Sequence, residues 1–475
     1  MRGITLALLL CLALPVRALD SAGLSAALAS SGLPDDSLSL MVVVHPPAAE
    51  PRTALALNAH QPLIPASVTK LVTAAAVLRH IPLGTRFDTR LMSAAPLEDG
   101  ILAGDLVLEG RGDPSLVSET LWLLANELAS TGVRVVEGDL VVDDSYFDDI
   151  YLDASRDTRR SDHAYDAPIG ALSFNWNAVA LTVSPGPVPG SPAQVQVEPE
   201  SPYVQVRNSA VTVTGQGIDR LVVSRLPGRG GEGDTLVVSG EIGIAANPFE
   251  GYRNITDPAR WSGENLRSYL AYRGIDVRGQ VHKGLTPVGS RMLAQVQGRP
   301  VEQLVRDMNK ISSNFIAEML TKQLAARRHP DTPATLSAGT AVLEAYLAGL
   351  DIDLSEFTLK NPSGLTRLNR LSAASLVALL DDMASDFRLA PEFLASLPVA
   401  GIDGTLETRM TDTPAQGWLR AKTGYIEGVV SLAGYAGSPG GERYTFAFIY
   451  NGPASPSRVR DLFDRLGELL VAAAP

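Results

Sequence analysis

The sequence predicts an α/β fold of the α+β kind: an antiparallel sheet flanked by helices, assembled from both ends of the chain, with β-rich segments inserted between them. Three observations lead there. Residues 38–44 and 53–58 read as two strands around a proline-rich turn, and three more strand-like runs follow one another at 419–424, 428–436 and 444–450. From 301 to 385 the apolar spacing is helical. The middle of the chain carries short strand-like runs joined by turns, with no helical period.

The chain has 475 residues, 45% hydrophobic and 19% charged, which suits two or three domains with substantial cores. It opens with Met1-Arg2-Gly3, an apolar run from Ile4 to Leu14, and Val16-Arg17-Ala18, the pattern of a signal peptide cut after about Ala18. Removing residues 1–18 takes away Arg2 and Arg17 and no acid, so the net charge moves from −12 to −14. Such an acidic product is a poor nucleic-acid partner. The single cysteine, Cys11, lies in the signal, so no disulfide or cysteine metal site is expected in the mature chain. No later run reaches transmembrane length, and an exported, soluble, periplasmic product is expected.

Taken in order, an apolar, alanine-rich helix follows Pro65-Ala66-Ser67-Val68-Thr69-Lys70. Strands are expected at 104–108, 138–143 and 178–183, with a helix at 121–128. Further strands are expected at 193–197, 203–207, 210–214, 220–224 and 236–239. Helical spacing returns at 263–270. The C-terminal strands form a meander whose last two members meet at Ser438-Pro439-Gly440-Gly441. A closing helix is expected over 459–473. Its acids Asp461, Asp464 and Glu468 favour packing on the sheet over an anionic lipid surface, leaving at most a weak membrane association.

Chemistry enters through three short motifs. In Ser67-Val68-Thr69-Lys70 a serine opens a helix, where developing negative charge is stabilised, and Lys70 projects from the same face one turn on. Alone, this reads first as an N-cap serine followed by a solvated lysine. Ser312-Ser313-Asn314 then places a hydroxyl and a carboxamide two residues apart before a helical run, and Lys422-Thr423-Gly424 lies on a strand. The trio Ser-x-x-Lys, Ser-x-Asn and Lys-Thr-Gly, in this order, is the signature of serine β-lactamases and penicillin-binding proteins.

With these motifs the chain resembles the low-molecular-mass penicillin-binding proteins, the D-alanyl-D-alanine carboxypeptidase/endopeptidase family in which two domains are inserted between the first and second motifs. Ser67 and Ser312 are 245 residues apart, more than a compact β-lactamase needs. Gly112-Asp113-Pro114-Ser115-Leu116, Asp144-Ser145-Tyr146-Phe147, the stretch from Tyr165 to Leu172, Ser363-Gly364-Leu365-Thr366-Arg367 and the stretch from Ala400 to Leu406 also look like recurring segments of that family. Ser313 stands where the family often has an acid, and Asn361-Pro362 where Asp-Gly is usual.

The resemblance implies a serine β-lactamase/transpeptidase-like catalytic domain from residues 19–85 and 292–475, an inserted α/β domain II from 86–184 and 251–291, and a nested small β domain III at 185–250. It implies that Ser67 is acylated, with Lys70 taking its proton, although the identity of the base is disputed in such enzymes. Ser312 passes the proton to the departing amine, Asn314 hydrogen-bonds substrate and Lys70, and Lys422 and Thr423 hold a terminal carboxylate. The backbone N–H groups of Ser67 and Tyr425 form the oxyanion hole, and Gly424 lets a substrate lie against the strand. An acid of an inserted domain meets the amine of the peptide's diamino acid, with Asp157, Asp162 and Asp166 as the candidates.

The expected reaction is removal of terminal D-alanine from peptidoglycan stem peptides and cleavage of their D-Ala cross-links, without cofactor or metal and with β-lactam antibiotics as covalent inhibitors. A β-lactamase or esterase on the same fold, or a non-catalytic peptidoglycan-binding protein, are the alternatives. The six histidines have no metal-ligand spacing. The glycine-rich stretch around Gly228 to Gly233 lacks the Gly-Lys-Ser/Thr of a phosphate loop, and the acids Asp143, Asp144, Asp148, Asp149 and Asp153 lack EF-hand spacing.

Overall fold

The structure, a computed structural model, describes residues 21–156, 160–218, 220–228 and 232–472. The expected signal peptide with Cys11, together with Asp157, Arg229 to Gly231 of the glycine-rich loop and the last residue of the expected closing helix, lie outside the described residues. The chain order starts with α1 (Ser21–Ser31), β1 (Leu38–His45), β2 (Arg52–Leu57) and α2 (Lys70–His80). Then come β3 (Asp88–Ser93), β4 (Leu106–Gly110), α3 (Ser118–Ser130), β5 (Leu140–Asp143), β6 (Ala178–Ser184), β7 (Gln194–Glu198), β8 (Val204–Asn208), β9 (Val222–Leu226), β10 (Asp234–Ser239) and β11 (Phe249–Asn254). The remainder is α4 (Pro258–Tyr272), β12 (Val281–Lys283), β13 (Arg291–Gln297), α5 (Val301–Lys310), α6 (Asn314–Arg328), α7 (Leu336–Ala348), α8 (Ala373–Ser385), α9 (Ala390–Ser396), β14 (Leu419–Ile426), β15 (Val429–Gly437), β16 (Arg443–Asn451) and α10 (Pro456–Ala472). Shorter ladders and 3-10 turns fill the connections.

Both ends of the chain meet in one antiparallel sheet of order β2-β1-β16-β15-β14. Its central strands are buried on both faces, because each face carries a helical layer. On one side Leu40, Val42, Phe446 and Phe448 pack under α1 and α10, with Phe463 against Phe448 at a ring separation of 5.5 Å. On the other, Ala433, Tyr435, Ala447 and Ile449 meet the cluster formed by α2, α5, α6, α7 and α8. Helix α2 runs through the middle of this cluster, and every residue from Lys70 to Leu78 is buried. That explains its alanine-rich, all-round apolar sequence, which an amphipathic surface helix would not show.

The segment between α2 and α5 forms a second core. Its main sheet has the order β12-β5-β4-β3-β13, parallel at β12/β5/β4 and antiparallel at the β3 and β13 edge. Strand β6 pairs antiparallel with both β7 and β11, so strands on either side of the expected 184/185 boundary share one sheet and the expected 250/251 boundary falls within β11. Strand β10 lies between β8 and β9. Trp261 on α4 is fully buried where these sheets converge; its indole N–H donates to Phe174 O at 3.0 Å, and Tyr203 packs edge-on at 5.6 Å.

Differences from the expected elements have local causes. The strands expected at 104–108 and 138–143 begin two residues later, because Asp105 and Asp139 each turn a carboxylate onto a backbone N–H, of Asp139 and Gln280 respectively. The strand expected at 220–224 is displaced to β9 by its pairing with β10. Strand β3 escaped sequence reading because polar Thr89 and Ser93 occupy inward positions beside Leu91, hiding the period of two. Helix α2 begins at Lys70, not at Ser67, which sits in a 3-10 turn (Ala66–Thr69) with Ala66 at φ 49°. The positive φ of Ala66 lies outside α geometry, and Gly364 packs so closely on this turn that a Cβ at Gly364 would lie 2.0 Å from the Ala66 carbonyl oxygen.

Truncation of Trp261 to alanine empties the centre of the second core and is expected to cost about 3–5 kcal/mol in denaturant unfolding. A loss below about 1 kcal/mol would show that this junction relaxes freely around the void.

Candidate active site

The three motifs converge at the mouth of a cleft of about 740 Å³, lined among others by Ser67, Ser312, Asn314, Arg367, Tyr425 and Glu427. The 3-10 turn before α2 supplies Ser67, which remains half-buried and open to the cleft, while Lys70 is fully buried behind it. Lys70 Nζ has three acceptors: Ser67 Oγ at 3.0 Å, Asn314 Oδ1 at 2.8 Å and the Ser363 carbonyl at 2.6 Å. The last two can only accept. A neutral amine therefore keeps both N–H groups on Asn314 and Ser363 and turns its lone pair to the Ser67 hydroxyl. Burial pushes the Lys70 ammonium well below the usual lysine range, with Lys422 and Arg156 adding to the effect and Glu318 opposing it.

Ser312 ends the connection between α5 and α6 at φ 58°, a left-handed conformation that a serine adopts at a cost. Its Oγ accepts from Lys422 Nζ at 2.9 Å, and the same ammonium donates to the Thr423 carbonyl at 2.9 Å. Burial lowers Lys422 to about 7. Asn314 opens α6, capped by the Ser313 hydroxyl through Ile316 N–H, so that Ser313 has a structural partner of its own. The Asn314 amide also donates to the Tyr165 carbonyl at 3.0 Å, which joins the second motif to the inserted segment.

On β14, Thr423 Oγ1 donates to Thr405 Oγ1 at 2.7 Å, and Tyr425 is half exposed at the rim with the Arg460 guanidinium 5.0 Å over its ring. Gly424 is needed for an inward reason. A Cβ there would lie 2.1 Å from Ser431 Oγ, 2.8 Å from the Pro65 carbonyl oxygen and 3.0 Å from Ser67 N, so only glycine lets the strand press against the Ser67 turn. Ser431 Oγ ties the two together by donating to the Pro65 carbonyl at 2.7 Å.

All eight sequence-predicted residues thus lie together. Sequence reading missed Ser363, whose contribution is a main-chain carbonyl, and Thr405, Ser431 and the buried pair Arg156 and Glu318. Glu318 did leave a signal, an acid one turn after Asn314 in a helix buried from Phe315 to Ala326. Of the acids weighed for a substrate amine, Asp166 is paired with Arg156 and Arg160 at 3.0 Å each, and Asp162 accepts from Arg225 N–H and lies 3.5 Å from Arg253. Neither carboxylate is free. Four acids of the cluster are likewise spent on internal donors: Asp143 on Ser145 and Thr286, Asp144 on Tyr151 and Lys283, Asp148 on Lys322 and Asp153 on the Ser155 N–H. Among the described residues no three His, Cys, Asp or Glu side chains gather to hold a metal, and no helix is long and apolar enough to cross a membrane.

The family model described as D-Ala-D-Ala carboxypeptidase 3 (S13) matches residues 21–471. A D-alanyl-D-alanine carboxypeptidase of Actinomadura sp. (strain R39) is 34% identical over 410 residues, covering 83% of this chain and 74% of the relative. Among solved structures, penicillin binding protein 4 from Haemophilus influenzae superposes with a TM-score of 0.79 at 23% identity, over 95% of this chain and 98% of that one; the same protein is also known complexed with a novel β-lactam. Bd3459, a predatory peptidoglycan endopeptidase from Bdellovibrio bacteriovorus, gives a TM-score of 0.53 at 15% identity, over 91% of this chain and 92% of that one. With its three motifs gathered in one cleft and the family model spanning nearly all of it, the chain belongs to the D-Ala-D-Ala carboxypeptidase 3 (S13) family of serine, penicillin-binding peptidases.

Proposed function

We propose that this enzyme is an exported, periplasmic carboxypeptidase and endopeptidase of peptidoglycan: it removes terminal D-alanine from stem peptides and cuts D-Ala cross-links through an acyl-enzyme on Ser67. The observation that carries this reading is the contact of Lys70, whose ammonium burial disfavours, with Ser67 Oγ at 3.0 Å. Support for the substrate class comes from the carboxypeptidase of Actinomadura and the endopeptidase of Bdellovibrio, whose names state those activities.

The steps follow from the groups present. Ser67 Oγ attacks the carbonyl carbon of the penultimate D-alanine as Lys70 takes the hydroxyl proton, and the carbonyl π electrons move to oxygen. The oxyanion is met by the N–H groups of Ser67 and Tyr425, brought side by side because Gly424 has no Cβ. Collapse breaks the C–N bond, and a proton routed through Ser312, which contacts Lys422, leaves with the amine. Lys422 and Thr423, steadied by Thr405, hold the terminal carboxylate of a carboxypeptidase substrate. In a cross-link the leaving amine belongs to a second stem peptide, and that group must follow the open rim past Tyr425. Water then cleaves the ester and regenerates Ser67. A β-lactam presents a carbonyl and a carboxylate in the same relation and acylates the same serine.

Wild-type protein incubated with a labelled penicillin is expected to carry one adduct on Ser67 by peptide mass spectrometry, and Ser67→Ala none. Absence of the adduct in wild type overturns the reading, and rapid turnover of the penicillin would mark a β-lactamase instead. Lys70→Met is expected to slow acylation by about 10²- to 10⁴-fold with little change in melting temperature. Gly424→Ala, by forcing the oxyanion donors apart, is expected to slow it by about 10²- to 10³-fold. Mass spectrometry of purified cross-linked muropeptides is expected to show both monomeric products and loss of terminal D-alanine.

A further inference from the structure

Between Lys70 and the inserted segment lies a buried chain of charges for which the acyl-transfer steps have no use. Glu318, one turn past Asn314 on α6, has a side chain 1% exposed. Its Oε1 accepts from Arg156 Nε at 2.7 Å, Asn361 Nδ2 at 3.0 Å and Ser363 Oγ at 3.3 Å. Ser363 is the residue whose carbonyl accepts from Lys70. Arg156, also 1% exposed, continues from Glu318 to Asp166 Oδ1 at 3.0 Å and the Ala167 carbonyl at 3.1 Å. Arg160 and the Ser161 N–H complete the surroundings of Asp166, and both Arg156 and Asp166 reach the cleft wall.

The groups that face Lys70 can therefore be named element by element: Lys422 from β14, Glu318 from α6, Arg156 from the loop after β5, and the neutral Ser67, Asn314 and Ser363. Glu318 is the acid among them. A buried ion pair broken on one side leaves an uncompensated charge, so the two partners act on Lys70 in opposite senses when removed singly.

We propose that Glu318 and Arg156 are positioning residues for acyl transfer: as a buried ion pair behind Lys70 they set the pH at which Ser67 becomes reactive, and they tie that setting to the cleft wall supplied by the inserted segment. Glu318 acts partly through geometry, since it anchors Asn361 and Ser363 and so the carbonyl on Lys70. It acts also by charge, favouring the ammonium, while Arg156 disfavours it. Asp166 tempers Arg156 from the far side.

This inference rests on Ser67 as the acylated nucleophile and Lys70 as its proton acceptor, so the Ser67 adduct of the wild type is established first with a labelled penicillin; its absence overturns both readings together. The acylation rate is then followed from acid to alkaline pH for wild type, Glu318→Gln, Asp166→Asn, Arg156→Gln and the double variant Glu318→Gln/Arg156→Gln, each checked for folding by thermal melting. Acylation needs neutral Lys70 and therefore rises with pH through the Lys70 titration. Glu318→Gln removes the charge that favours the ammonium, so its acid limb is expected at lower pH by about one unit. Asp166→Asn, which leaves the Arg156 charge less compensated, moves the limb the same way. Arg156→Gln leaves Glu318 unpaired and moves it to higher pH by about one unit, and the double variant returns towards wild type. Limbs that stay in place while the plateau rate falls, or that move the same way in Glu318→Gln and Arg156→Gln, overturn the proposal and leave a purely structural tie. Should Arg156→Gln fail to fold, the two isosteric variants Glu318→Gln and Asp166→Asn decide it, unmoved limbs in both counting against.

Discussion

The interaction on which this structure depends is the enclosure of one amine. Lys70 Nζ lies out of water in contact with Ser67 Oγ, Asn314 Oδ1 and the Ser363 carbonyl. Each partner comes from a different part of the chain: the turn before α2, the start of α6, and the loop that precedes β-bridged Leu371. A lysine in that position disfavours its own charge, and three acceptors held by rigid elements are what keep it soluble in the core without neutralising it by a carboxylate in direct contact.

Much of the surrounding architecture can be understood as holding those partners still. Helix α2 is buried from Lys70 to Leu78, so its first residue cannot drift relative to the sheet. Strand β14 is pressed against the Ser67 turn because Gly424 and Ser431 allow and fix the approach, and its pairing with β15 sets Lys422 opposite Ala433 and Gly424 opposite Ser431. The second lysine reaches Ser312, which pays for its left-handed backbone by pointing its hydroxyl at Lys422. The left-handed residue is thus the one whose hydroxyl meets Lys422.

The inserted segment contributes more than an enclosure. The Tyr165 carbonyl takes an amide hydrogen of Asn314, and Arg156 reaches α6 through Glu318. These are polar ties at the junction where Ala167 and Ile169 of the inserted segment also pack into the α6 cluster. Polar contacts of this kind give orientation at modest net stabilisation, since each buried charge has lost its water. They also occupy Asp166, so the wall of the cleft presents a compensated arginine–aspartate pair where a free carboxylate was one of the expectations.

What the sequence by itself determined was the set of chemical groups and their order: a serine and lysine three apart, a serine and carboxamide two apart, and Lys-Thr-Gly on a strand. The strand runs of β14, β15 and β16 and the apolar run of α2 were legible as well, because burial writes itself into composition and spacing. Contacts over long separations left no such trace. That Lys70 would meet a carbonyl at Ser363, 293 positions away, depends on main-chain atoms that every residue carries. Nor does spacing reveal that the helix starts at Lys70, with Ser67 in a tighter turn against which Gly364, distant in sequence, packs. Strand β3 was invisible because buried Thr89 and Ser93 broke its apolar period. The partners of Asp162, Asp166 and Glu318 were settled by tertiary structure alone, for a charge is free or spent only once the chain has brought, or failed to bring, an opposite one within reach.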